Sequence, residues 1–98
     1  MNNIHLQIEQ LSPTNLIGFT NLTLELWNDC VFEEEYEFYK SLIDKDSDVC
    51  FLAKLENIFI GFIHVSVRHD YVEGAENMPL AYIEGIYVKP DYQNRGVA

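Results

Sequence analysis

Basic residues are scarce. The 98-residue chain carries 6 Lys and Arg against 16 Asp and Glu, a formal net charge of -10. Nucleic-acid binding draws its affinity from a clustered basic patch. Six scattered cations do not form one, so no nucleic-acid partner is expected. Cysteine is also rare: Cys30 and Cys50 are too few and too isolated for a metal site. Cys50 lies in an apolar run and is expected as a buried thiol. No apolar stretch approaches the length of a membrane span. Met1 to Gln10 is polar with alternating apolar residues and does not resemble a secretory signal. A cytoplasmic protein without a membrane partner is the expectation.

What is present suffices for a packed core. Hydrophobic residues make up 48% and aromatics 13%, which fits one small domain. No repeat, low-complexity tract or interdomain linker divides residues 1–98. A domain this short buries a smaller share of its surface than a larger one, so an open edge matters. The acidic excess keeps a protein soluble and also suits a polycationic ligand.

Ile4, Leu6 and Ile8 alternate with polar residues and predict a strand. Ser12-Pro13 reads as an N-cap followed by the first helical position. Leu16, Phe19, Leu22, Leu26 and Trp27 then recur at helical spacing, against the weak propensities of Gly18, Thr20 and Thr23. Phe32, Tyr36, Tyr39 and Ile43 line one stripe of a second helix. Glu33, Glu34 and Glu35 fall in its first turn, where the helix dipole favours anions. Val49–Leu55 and Ile58–Arg68 read as a hairpin closed by Glu56-Asn57. A loop from His69 to Leu80 precedes a strand over Ala81–Val88, and Lys89-Pro90 ends it. Gly85 inside that strand marks a bulge or a close backbone approach. The expected fold is α/β of the α+β kind, β-α-α-β-β-β, a mostly antiparallel mixed sheet flanked by two helices.

The segment Gln93-Asn94-Arg95-Gly96-Val97-Ala98 carries the chemistry. A loop of small residues after a strand aims several backbone N–H groups at one point, and such a nest holds phosphate. Gly96 permits close approach, and Arg95 adds charge. An ordinary strand-to-helix turn fits the same string. With Tyr87-Val88-Lys89-Pro90 before it, the segment resembles the coenzyme A signature of the GNAT acetyltransferase superfamily. That resemblance implies acetyl-CoA as cosubstrate and no metal. It implies that Ile86, Tyr87 and Val88 contact the pantetheine arm and the acetyl carbonyl, and that Gln93, Asn94, Arg95, Gly96, Val97 and Ala98 hold the diphosphate.

Three further strings narrow the likeness: Leu26-Trp27-Asn28-Asp29, Asp70-Tyr71-Val72-Glu73-Gly74 and Ile83-Glu84-Gly85-Ile86-Tyr87-Val88. In this order they resemble the bacterial aminoglycoside 6'-N-acetyltransferases. The resemblance implies that Trp27, Tyr71 and Glu84 line the site of a small cationic amine, with Glu84 as the candidate catalytic proton acceptor. Some members carry a histidine where Glu34 aligns here. A polyamine, another small amine or a protein amino group remains an alternative acceptor. Each residue also has a simpler reading: Trp27 in the core, Tyr71 as loop packing, Glu84 paired with Arg68, Glu73 and Glu76 solvated. His64, inside a strand, reads as a hydrogen-bonded core or face residue rather than a base. Tyr36 and Tyr39 read as core, and Glu33 to Glu35 as a solvated first turn.

The superfamily continues past the diphosphate loop with a helix and more strands, so residues 1–98 correspond to a partial domain, truncated at the pyrophosphate loop. An open strand edge invites association, and a homodimer is the expectation. An inactive dimerising module is the remaining alternative.

Overall fold

The computed structural model of the chain describes residues 6–68 and 80–93. Along it run β1 (Leu6–Gln10), α1 (Leu16–Leu26), α2 (Phe32–Leu42), β2 (Asp48–Leu55), β3 (Ile58–Arg68) and β4 (Leu80–Val88), then a 3-10 turn over Pro90–Tyr92. This is the expected element order. The strands form one sheet in the order β1-β2-β3-β4, and all three pairings are antiparallel. Glu56 and Asn57 close the β2–β3 hairpin with φ of 49° and 69°. Two consecutive left-handed residues match the twist of a two-residue hairpin, and Asn tolerates that region well.

Both helices pack on one face of the sheet. Phe19, Leu22, Tyr39 and Leu42 meet Cys50 and Leu52 of β2 and Phe62 of β3 in one buried cluster. The Phe19 ring lies 4.7 Å from Tyr39 and 4.9 Å from Phe62, centroid to centroid, at tilted angles that aromatic pairs favour. The poor helix formers of α1 have local roles. Gly18 leaves room for the Phe59 ring, and the hydroxyls of Thr20 and Thr23 donate to the carbonyls of Leu16 and Thr20.

The start of α1 differs from the sequence reading. Ser12 and Pro13 lie in a turn, and the helix begins at Leu16 after Asn15. The buried Asn15 amide draws the chain tight here. Its Oδ1 accepts from the Ser12 N–H, and its Nδ2 donates to the Gln10 carbonyl and the Glu9 carboxylate. The end of β1 is thus bracketed to the start of α1, one turn later than a Ser12 cap gives.

The other sheet face is apolar and open. Phe51, Ile63 and Ile86 lie in one cross-strand row, with Ile8 beside them, around a shallow hollow of about 210 Å³. Ile8, Ile83 and Ile86 are 60%, 64% and 45% exposed, far more than core residues of their type. β4 is the edge strand of the described sheet, so half its backbone N–H and C=O groups point away from β3.

Phe19 sits at the centre of the helix–sheet contact with no exposure. Phe19→Ala is expected to lower stability by about 3–5 kcal/mol in urea unfolding followed by circular dichroism. A loss under about 1 kcal/mol contradicts this packing.

Candidate functional site

The site is built on an irregularity in β4. Gly85 pairs with His64 and Ile83 pairs with Val65, which leaves Glu84 as an extra residue. In a regular strand Glu84 and Gly85 point to opposite faces. The bulge turns both toward the helices. Gly85 is where the sequence placed the bulge, and its lack of a side chain has a direct reason. A Cβ there would lie 2.6 Å from Cη2 of Trp27.

Trp27 is the C-cap of α1, its N–H donating to the Thr23 carbonyl at 2.8 Å. The indole packs edge-on against Phe62, with centroids 6.0 Å apart. It is half-buried, part of the core rim as well as a wall over the bulge. The Glu84 carboxylate accepts from Ser66 Oγ at 2.6 Å and from Arg68 Nη2 at 2.9 Å. The Ser66 bond, the largest cause, joins the Arg68 charge and bond to hold its carboxyl below the usual range, against an opposing effect of desolvation. The Glu84–Arg68 pairing is therefore present, and it leaves the Glu84 side chain 35% exposed.

An open cavity of about 480 Å³ joins these residues. Trp27, Cys30, Glu35, Phe38, Tyr39, His64 and Glu84 line it. Five of these carried no site role in the sequence reading: Cys30, Glu35, Phe38, Tyr39 and His64. Glu35, Phe38 and Tyr39 are spaced i, i+3 and i+4 on α2, a signal that they share a face. Glu35 therefore turns from the solvated run of Glu33 and Glu34 toward the cavity wall. Nothing in strand alternation singles out His64.

His64 is buried, as expected of a hydrogen-bonded core residue. Its Nε2 is 2.8 Å from Asp48 Oδ1, and its Nδ1 is 3.2 Å from the Tyr39 hydroxyl. Desolvation raises the Asp48 pKa, but bonds from His64 and Ser47 outweigh it and hold the carboxyl low. Burial, with nearby acidic groups, raises the Tyr39 phenol well above its ordinary range. Cys50 is buried and pushed up to about 12, chiefly by desolvation. Cys30 is exposed, and a bond to Glu35 is the first cause of its raised pKa. Neither thiol is activated as a nucleophile.

The cofactor-side residues divide. Tyr87 packs on Phe62 and donates its hydroxyl to Glu25, tying β4 to α1. Ile86 points to the open face, and Val88 is buried. Gln93 Nε2 donates to the Val88 carbonyl at 2.8 Å, which folds the chain back onto the strand end. Asn94, Arg95, Gly96, Val97 and Ala98 lie outside the described residues, as do Tyr71, Glu73 and Glu76. Among the described residues no cluster of three or more His, Cys, Asp or Glu is placed to hold a metal. No described helix is long and apolar enough to cross a membrane.

The two-helix, four-stranded arrangement agrees with comparison to known proteins. The model of the acetyltransferase (GNAT) family matches residues 8–98, and the chain belongs to that family. Among its relatives is the aminoglycoside N(6')-acetyltransferase type 1 of Salmonella enteritidis, 32% identical over 93 residues, which cover 95% of this chain and 64% of that protein. The Stenotrophomonas maltophilia enzyme of the same name is 37% identical over 90 residues, 92% of this chain and 58% of its own length. Aminoglycoside N-acetyltransferase AAC(6')-Iy in complex with CoA superposes with a TM-score of 0.87 at 31% identity, over 98% of this chain and 63% of that one. The same enzyme with the bisubstrate analogue CoA-S-monomethyl-acetylneamine gives 0.85 at 32% identity, over 95% and 63%. The chain thus spans just under two thirds of the length of these relatives.

Trp27 is the only tryptophan, so its fluorescence reports on the bulge contact alone. Gly85→Val must displace the indole. The emission maximum is expected to shift to the red and stability to fall by about 1–3 kcal/mol. An unchanged spectrum contradicts the Trp27–Gly85 contact.

Proposed function

We propose that the chain carries the acceptor-binding half of an enzyme that moves an acetyl group from acetyl-CoA to the 6'-amine of aminoglycosides. The observation that carries this reading is the Trp27–Glu84 pair across the β4 bulge, facing a cavity beside an open strand edge. Names and complexes of the relatives support it: the curated proteins are aminoglycoside N(6')-acetyltransferases, and AAC(6')-Iy is seen with CoA and with a CoA–aminoglycoside analogue.

The chemistry follows from the groups on the cavity wall. Glu84, ionised and half-open, holds an ammonium of the acceptor. Trp27 supplies an aromatic face beside it, which favours cations further. Glu35 adds a second carboxylate, as a substrate with several ammonium groups requires. A depressed pKa makes Glu84 better at holding a cation than at taking a proton. We therefore give it the holding role in place of the proton-accepting role expected from the sequence. Tyr71 belongs to the same acceptor site in this reading.

Acetyl-CoA supplies the activated acyl group. The edge of β4 fits it: past the bulge, Ile86 and Val88 alternate their backbone groups outward from β3, with Tyr87 between them, and so offer donors and an acceptor to an extended amide-bearing chain such as the pantetheine arm. Gln93, Asn94, Arg95, Gly96, Val97 and Ala98 take the diphosphate in the same reading. Transfer then needs the amine nitrogen held in line with the thioester carbonyl, and positioning provides much of the rate. A cytoplasmic location and a homodimer belong to the proposal. The first is supported by the use of acetyl-CoA, the second by the exposed apolar face around Ile83 and Ile86.

Thiol release from acetyl-CoA with an aminoglycoside bearing a 6'-amine tests the reading. Release is expected with such aminoglycosides, and Glu84→Gln is expected to raise the aminoglycoside KM about tenfold. Release with spermidine but with no aminoglycoside contradicts it.

A further inference from the structure

Amide formation must dispose of a proton, and the acceptor cavity holds one buried titratable chain that the reading above does not use. Asp48 opens β2, His64 lies in β3 and Tyr39 lies in α2, so three elements converge to make it. We propose that Asp48, His64 and Tyr39 form a proton relay behind the acceptor cavity, in which Tyr39 takes the proton lost by the acceptor nitrogen and passes its own to His64. The proposal rests on the acetyl-transfer reading.

The polarity of the chain is fixed by its far end. The Asp48 carboxylate is ionised and can only accept, so His64 donates to it from Nε2. Nδ1 then carries the free lone pair. It can pair with Tyr39 only if the phenol donates to it, across the 3.2 Å observed. The Tyr39 oxygen is left with acceptor capacity, and both Tyr39 and His64 line the cavity with Glu84. A carboxylate oriented behind an imidazole in this way fixes the tautomer and stabilises the imidazolium that forms.

The step balances without a further reactant. The C–N bond forms to the acetyl carbon as the C–S bond breaks and the thiolate leaves. One N–H proton moves to Tyr39 Oη while the Tyr39 proton moves to His64 Nδ1. The product is an imidazolium paired with Asp48. In the relay Tyr39, 2% exposed, meets the acceptor nitrogen where it lines the cavity, and His64 and Asp48 are positioning residues that act through it. Glu84 is a poor rival for the proton, being held by Ser66 and Arg68. The groups around His64 are compatible with a positive charge there. Asp48 and Cys50 lie on β2, Glu35 and Tyr39 on α2, and Glu84 on β4. Arg68, on His64's own strand, is paired with Glu84.

Purely structural pairing and a relay differ in two measurements. Long-range ¹H–¹⁵N NMR of the His64 ring at neutral pH is expected to show a proton on Nε2 and none on Nδ1. A proton on Nδ1 overturns the relay whether or not the chain turns over. Thiol-release kinetics across pH supply the second. Tyr39→Phe and His64→Gln are expected to lower kcat about 100-fold, with aminoglycoside KM within about twofold of wild type. Asp48→Asn, which keeps the local shape, is expected to lower kcat as well. A folded Tyr39→Phe with full kcat overturns the relay and leaves acetyl transfer standing. A wild type that releases no thiol with any aminoglycoside sinks the acetyl-transfer reading, and the relay falls with it.

Discussion

The contact between the Trp27 indole and Gly85 ties the first helix to the irregular point of β4. The extra residue in β4 brings Glu84 and Gly85 to the same face, one to present a carboxylate and the other to leave space for the indole. The edge-on packing of Trp27 against Phe62 then joins this wall to the core built around Phe19 and Leu52. The cavity is thus supported by the same packing that holds the helices on the sheet. A site placed on strands and a helix end keeps its geometry better than one on loops alone.

Charge and its compensation account for the different roles of the acidic residues. Glu9 is drawn to Asn15 and Lys54, and Glu25 to Tyr87 and Lys89, so both stitch elements together. Asp48 is committed to His64. Glu84 is partnered by Ser66 and Arg68 yet still reaches the open cavity, which Glu35 also lines. The large net negative charge is therefore not uniform solvation. Part of it lines a concave surface, where walls of low dielectric strengthen its pull on cations.

The strand and helix pattern was legible because periodicity is a local property. Alternation along β2 and β3, the Glu56-Asn57 turn and the stripe through Tyr39 all follow from neighbouring residues. Gly85 was legible as a bulge for the same reason; Trp27 and Glu84 were named through resemblance to a family, and both line one cavity. The start of α1 was not. Ser12-Pro13 looks like a cap by itself, and only the buried Asn15 bracket to β1 moves the boundary. The Asp48–His64–Tyr39 chain was also hidden. Its members are 25 and 16 residues apart in sequence, and only the sheet register and the helix packing bring them together.

In the proposed function an acceptor amine docks between Trp27 and Glu84. Nuclear Overhauser contacts between the Trp27 indole protons and a bound aminoglycoside test this directly, because the chain has a single tryptophan. The predicted result is contact from the indole to the sugar ring that carries the 6'-amine, lost on Gly85→Val. Contacts instead to Phe51 and Ile86, on the opposite face of the sheet, would contradict it.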